Sequence, residues 1–248
     1  MKRLLASTSL CLAVLAAPAV AFDIAAMSDA ERAVLQEELR VYLMANPQVI
    51  LDSVNQMGAQ QAEQQAQDDL SLVATNAEAL FEDGYSWIGG NPEGDITVVE
   101  FLDYRCGYCR KAHEEVAQLL EADGNIRLIV KEFPILGESS AISSRFAIAA
   151  KQVGGDEAYK AVHNAMMSFG GEPSTAALGR LADGLGLDAE TIVARINSEE
   201  VAKEIAETRA LAQRLQIRGT PTFVIGGQLV RGYVPLDAMQ KIVKEERS

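Results

Sequence analysis

From Ser28 to about Phe81, apolar residues recur at helical spacing. Leu35, Leu39 and Tyr42 fall at i, i+4 and i+7, and Ile50, Val54 and Met57 repeat the interval. Ser28-Asp29-Ala30-Glu31 has the form of a capping box, which places a helix start at Ser28. Asn46-Pro47 ends that helix and opens a second, since proline suits a first helical position. Residues 58–69 carry no large apolar side chain, consistent with either a solvated helix or a flexible joint. Leu70, Val73, Ala77 and Leu80 then resume the stripe. Narrow apolar stripes cannot be buried by one helix alone. They need either the parent domain or the same segment of another protomer, and the reading adopted is a homo-oligomer formed through residues 28–81.

The period changes after "EDGYSWIGGNPEGD", residues 82–95, whose glycines, proline and acids mark a boundary. "ITVVEFL", residues 96–102, is apolar and β-branched over a strand's length. Residues 110–121 read as a helix ended by Asp123-Gly124-Asn125, and 126–133 as a second strand. Residues 139–215 follow as an alanine-rich helical stretch, broken at Gly154-Gly155, at Gly170–Pro173 and at Gly184–Gly186. "TFVIGGQLVRGY", residues 222–233, is a hairpin turning at Gly226-Gly227, and Pro235 opens a last helix. Strand, helix, strand, helical insert, hairpin and helix make a mixed sheet flanked by helices.

The first residues supply a compartment. Met1-Lys2-Arg3 is basic, Leu4 to Val20 is largely apolar and uncharged, and Ala19-Val20-Ala21 is a small-x-small cleavage pattern. This reads as a signal peptide cut near Ala21. The apolar run is short for a membrane span, which needs about 20 residues. Export to the periplasm is the expected localisation. Cleavage removes Cys11 and two bases but no acid, so the mature chain is more acidic than the net −13 of the full chain. Nucleic acid and anionic membranes, which attract basic surfaces, are poor partners for it.

Cys106 and Cys109, in Cys-Gly-Tyr-Cys, then become the mature chain's only thiols. A structural disulfide closing so small a loop gains little chain entropy, so the pair points to redox chemistry. A strand running into a helix puts Cys106 at the helix N-terminus. There, unpaired N–H groups and the helix dipole favour an anion, and the thiolate is the attacking species in disulfide exchange. Cys109, one turn on and more enclosed, is the resolving thiol. Gly107 and Tyr108 set access and redox tuning.

"VVEFLDYRCGYC" followed by "RGTPTFVIGG" resembles the DsbA-like thioredoxin-fold thiol–disulfide oxidoreductases of bacterial envelopes, over about residues 88–245. The N-terminal helical arm is similar in layout to the ScsC-like proteins, named for suppression of copper sensitivity. The resemblance implies an α/β thioredoxin fold with a helical insert. The expected organisation is signal peptide 1–21, arm and linker 22–85 and catalytic domain 86–248. It also implies a cis-proline at Pro221 that, with Thr220 before it, holds an extended substrate strand, and it makes Glu100 a buried acid assisting proton transfer. Thr220 resembles the isomerase and reductase branches. Gly-Tyr stands where strong oxidants carry Pro-His, which implies a less oxidising couple. No cofactor is implied. The expected partners are misfolded or disulfide-containing exported proteins and a membrane redox partner.

A disulfide isomerase or reductase is therefore the favoured function, with a dithiol oxidase as the alternative. A copper-binding module or a holdase stands further off. His113, His163, Met166 and Met167 are the soft or imidazole ligands a metal would use. However, His113 sits in what reads as a solvated face, and the other three in a helical core pattern.

Overall fold

The computed structural model describes residues 24–248; the expected signal peptide and Cys11 lie outside them. The described chain divides into two compact units between Ala59 and Gln60. In the first, a one-turn 3-10 helix, Ile24–Ala26, precedes α1, Asp29–Ala45. The Ser28 hydroxyl accepts from the Glu31 N–H, and the Glu31 carboxylate accepts from the Ser28 N–H at 2.8 Å, which closes the capping box. No residue of α1 is buried. Asn46 ends α1, and α2 runs from Gln48 to Thr75 without a break, so residues 58–69 form a helix.

The second unit is built on a five-stranded sheet. Its strands are β1, Trp87–Gly90; β2, Ile96–Leu102; β3, Ile126–Glu132; β4, Thr222–Ile225; and β5, Gln228–Arg231. The order is β1-β3-β2-β4-β5, with β2 and β3 parallel and every other pair antiparallel. The crossover from β2 to β3 is α4, Gly107–Asp123, which ends at Gly124 in the left-handed region. The insert comprises α5, Glu138–Met167; α6, Thr175–Gly184; α7, Ala189–Arg195; and α8, Glu199–Arg214. Gly155, at φ +74°, kinks α5 where the glycine pair stands in the sequence. A last helix, Leu236–Glu246, follows Pro235. One break inside the insert carries no glycine: Ser198 caps α8 with its hydroxyl, stopping one helix and starting another.

Two observations bear on the boundary stretch. β1 lies within the glycine-rich residues 82–95 and inside the expected catalytic domain. Glycine weakens a strand and hides its alternation, yet here the missing side chain is required. A Cβ on Gly89 would fall inside the Trp87 indole, which stacks on Tyr159 with centroids 5.4 Å apart. The second concerns the arm. Val73 of α2 and Leu80 of the short helix α3, Ala77–Phe81, are buried with Val99, Phe101 and Ile129 on one face of the sheet. Residues 60–85 thus pack with the domain, and the compact units divide well upstream of residue 85.

A buried ion pair fastens that segment. Lys131 on β3 is fully buried; its Nζ donates to the Ala79 carbonyl at 2.9 Å and to Asp83 Oδ2 at 2.5 Å. Burial opposes the charge on Asp83, but Lys131 together with the Ser86 donors outweighs it and holds the carboxyl below its usual range. Removing one partner of a buried pair leaves an uncompensated charge, at about 3–5 kcal/mol. Asp83→Ala should therefore lower unfolding stability by about 3 kcal/mol in urea titrations, although Asp83 is far from the cysteines in sequence.

Candidate active site

β2 delivers the chain to the site through Asp103. Its carboxylate accepts from three backbone N–H groups: Arg105 at 2.8 Å, Ile135 at 2.9 Å and Leu136 at 3.0 Å. The Asp103 carbonyl accepts from the Cys106 N–H at 3.0 Å. The turn that closes β2 and the loop that follows β3 are thereby tied to one buried side chain. Arg110 braces the other side, donating to the carbonyls of Tyr104 at 2.8 Å and Phe169 at 2.9 Å.

Cys106 is the N-cap of α4, in extended geometry, and its carbonyl accepts from the Arg110 N–H at 3.1 Å. No side chain caps this helix. Its first-turn N–H groups thus remain open to a negative charge at the N-terminus. The Cys106 Sγ donates to the Thr220 carbonyl at 3.1 Å, and the Thr220–Pro221 peptide is cis. The sheet makes this approach possible, because β4 begins at Thr222 and pairs with β2 at Phe101. The Pro221 carbonyl is occupied by the Gly232 N–H at 3.0 Å. A cleft of about 560 Å³ opens beside the cis peptide, lined by Gln216, Arg218 and Thr220 among others.

Both thiols are free, and they differ in surroundings. Cys106 retains slight exposure and Cys109 has none. Burial pushes the Cys109 thiol well up, and Glu100 adds to the shift. Gly107 faces open space, and Tyr108 is exposed at 63%, its ring 5.9 Å from Tyr233. Ile135 and Leu136, on the loop pinned by Asp103, are also exposed apolar residues.

Glu100 lies beneath, 2% exposed, with Oε1 lacking any partner. Burial, reinforced by the neighbouring Glu132, pushes its carboxyl up to about 8. Four residues of this layer escaped the sequence reading as a group: Glu132, Tyr104, Tyr159 and His163. Glu132 Oε1 accepts from Tyr104 at 2.7 Å and from Tyr159 at 2.6 Å, and the Tyr104 hydroxyl also meets His163 Nδ1 at 3.1 Å. Burial raises Glu132 to about 7 against the pull of these hydroxyls. Burial likewise lowers His163 to about 3, which keeps it neutral. His113 corrects an expectation: it is half-buried and stacks edge-on against His163, with centroids 5.0 Å apart, rather than lying on a solvated face. Met166 and Met167 are core residues. Among the described residues, no three His, Cys, Asp or Glu side chains are grouped to hold a metal ion.

The Glu100 shift has a thermodynamic sign. A carboxyl raised in the folded state keeps a proton that the unfolded chain has lost. Its contribution to stability is complete below pH 4.5 and disappears as pH rises toward 8. Each pKa unit corresponds to about 1.4 kcal/mol. Stability of the reduced protein should fall between pH 5 and pH 8.5, and Glu100→Gln should reduce that fall by about 4 kcal/mol, as read from urea unfolding at the two pH values.

The comparisons with known proteins agree with this geometry. The sequence model of the DSBA-like thioredoxin domain matches residues 97–244. The structure of a thioredoxin-like oxidoreductase from Silicibacter pomeroyi DSS-3 shares 44% identity, covering 68% of this chain and 96% of that one, with a TM-score of 0.64. Proteus mirabilis ScsC in a transitional conformation covers 89% of this chain and 98% of its own, with a TM-score of 0.64 and 24% identity, which is a likeness of fold. Among curated proteins, the Na(+)/H(+) antiporter NhaA 1 of Salinispora arenicola is 30% identical over 156 residues, or 63% of this chain. The chain spans about a quarter of that relative's length, 24%. Among the described residues no helix is long and apolar enough to cross a membrane. With the family model covering more than half the chain, and the fold and cysteine geometry in accord with it, this protein belongs to the DsbA-like thioredoxin-domain family of thiol–disulfide oxidoreductases.

Proposed function

We propose that the protein is a periplasmic thiol–disulfide oxidoreductase, exported by cleavage near Ala21, that works as a disulfide isomerase or reductase. The observation that carries this reading is the approach of Cys106 Sγ to the Thr220 carbonyl at the cis peptide, with Cys109 buried behind it. An attacking sulfur and a strand-like edge for the substrate's main chain thus lie in one place.

The chemistry follows from the two environments. The Cys106 thiolate attacks a substrate disulfide; one new S–S bond forms, and the displaced substrate sulfur leaves and takes up a proton. Thr220 and Pro221 hold the substrate strand beside the mixed disulfide. Cys109 then gives its proton to Glu100 and attacks Cys106 Sγ. This breaks the bond to the substrate, so the substrate is reduced by two electrons and the Cys106–Cys109 pair is oxidised. A membrane partner that donates two electrons restores the dithiol. In isomerisation, a substrate thiolate attacks the mixed disulfide first, and no net oxidation occurs. A base for Cys109 is needed because burial holds that thiol protonated, and a carboxyl near 8 is matched to the task at neutral pH.

Thr220 and Tyr108 favour isomerase or reductase over primary oxidase, and the N-terminal unit adds to this. Leu39 and Tyr42 of α1 and Ile50, Val54 and Met57 of α2 are large apolar residues left exposed. Repeated at helical spacing, they are suited to burial against the same segment of other protomers. Several active sites in one assembly would engage a misfolded chain at more than one point.

The deciding experiment is reactivation of scrambled, fully oxidised ribonuclease by the reduced mature protein, with Cys106→Ser as control. Recovery that requires Cys106 is expected. Failure to recover, with oxidation of reduced ribonuclease intact, would make the protein an oxidase; recovery without Cys106 would make it a holdase. The reduction potential should be more negative than the ~−120 mV of the strongest oxidant of the family, measured against glutathione. Deleting residues up to Ala59, where the compact units divide, should give a monomer by light scattering that still reduces insulin but no longer reactivates scrambled ribonuclease. A truncated protein that remained oligomeric would remove the arm from the explanation.

A further inference from the structure

Glu100 and Glu132 stand on adjacent parallel strands, in the register that pairs Glu100 with Val130 and Leu102 with Glu132. Residues two apart on a strand share a face. Both carboxylates therefore enter the layer that holds Cys109, with Cα atoms about 8 Å apart by ordinary strand spacings, within reach of two glutamate side chains. Each has an oxygen without a partner, Oε1 of Glu100 and Oε2 of Glu132. They differ in everything else. Tyr104 and Tyr159 donate to Glu132, whereas no hydroxyl meets the free oxygen of Glu100. Hydrogen bonds to a carboxylate favour its charged form. Of two acids close together in a dry layer, the first to ionise is the one with the donors, and its charge then resists ionisation of the second.

We propose that Glu132 is a positioning residue for the resolving step: fixed by Tyr104 and Tyr159, it carries the first negative charge of the pair and so makes Glu100 the stronger base toward Cys109. The inference rests on Glu100 being the acceptor of the Cys109 proton. In each resolving event one proton passes from Cys109 to Glu100, while Glu132 neither gains nor loses one. Removing its charge weakens the base without removing it.

The other groups facing this layer do not supply the same charge. Asp103 is committed to three backbone N–H groups and its charge bears on Glu132, whereas the charge that bears on Glu100 is that of Glu132; His163 is neutral. Burial keeps His113 low and raises Tyr104 and Tyr159, so these three are neutral as well. On the far side of Glu132, a crevice is lined by Tyr85, Lys151 and Glu204. Lys151 pairs with Asp156 there, and Glu204 accepts from Gln152. Cys106 and Cys109 complete the set. Lys131 points to the opposite face, toward Asp83.

The test is the pH profile of a single turnover. A mixed disulfide between Cys106 and a fluorescent cysteine peptide is prepared at low pH, and peptide release is followed by stopped flow after jumps to pH 5–10. In the wild type the rate should rise through the titration of Glu100. In Glu132→Gln, which keeps an oxygen for both tyrosines, that rise should move down by about one pH unit. Its plateau should fall by about threefold, as expected for a weaker base. Glu132→Asp should restore the wild-type position. A Glu132→Gln rate lowered equally at every pH, with the rise unmoved, would show a structural role only and overturn the proposal. A Glu100→Gln profile identical to wild type would instead overturn the assignment of Glu100, and the inference with it. Should Glu132→Gln not fold, Tyr159→Phe serves the same purpose. Losing one donor makes Glu132 harder to ionise and should move the rise down by a smaller amount; an unmoved rise again defeats the proposal.

Discussion

The site depends on the Asp103 carboxylate. It ends β2 and takes three backbone N–H groups from two loops, while its own carbonyl takes the N–H of Cys106. Each loop would otherwise leave partly buried donors unpaired, at about 1 kcal/mol apiece. The carboxylate settles that requirement and a geometric one together. The turn before α4 cannot relax without releasing the loop of Ile135 and Leu136, so Cys106 is held where α4 starts and where the cis peptide ends. The first-turn N–H groups of α4 stay uncapped as a consequence, because the residue at the cap position carries sulfur and directs it to Thr220.

Below this fixed turn the protein tolerates an arrangement that stability alone would not select. Two carboxyls lie in the centre of a sheet with an oxygen each unsatisfied, and apolar residues there would pack at no such cost. A redox protein has a use for the cost. In the proposed mechanism the resolving thiol, Cys109, is buried, which protects it from adventitious oxidation but holds its proton. A base able to take that proton must be buried beside it and must titrate near working pH. Desolvation meets both needs, raising the thiol and the acid together. The tyrosine hydroxyls at Glu132 prevent the two acids from being equivalent.

Much of the fold was legible because its signals are local. β2 and β3 are short, β-branched and flanked by turn residues; Gly124, Gly155 and Pro235 do at their positions what such residues do anywhere. The exceptions are instructive. β1 was hidden because Gly89 and Gly90 read as turn, whereas Gly89 leaves room for an indole held by Tyr159, 72 positions along the chain. Which surface buries Val73 and Leu80 was not legible, because they continue the helical stripe of the residues before them. Periodicity reports that a face will be buried, not which surface buries it.

The candidate site divides along the same line. Cys106, Cys109, Thr220 and Pro221 were visible as spacing and as resemblance; Glu100 came through resemblance alone. Glu132 was invisible for a reason specific to β3. Lys131 and Glu132 fall within the strand read over 126–133, but nothing local marks either as buried. Alternation sends them to opposite faces, and both faces are buried. Each charge is tolerated only because a distant segment brings its partner, Asp83 for Lys131 and Tyr104 with Tyr159 for Glu132. A buried charge is thus a statement about tertiary structure, since without its partner the same residue would have to face solvent or lose its charge. That is why the candidate cysteines could be found in ten residues of sequence, while the acid proposed to act on Glu100 required the whole sheet.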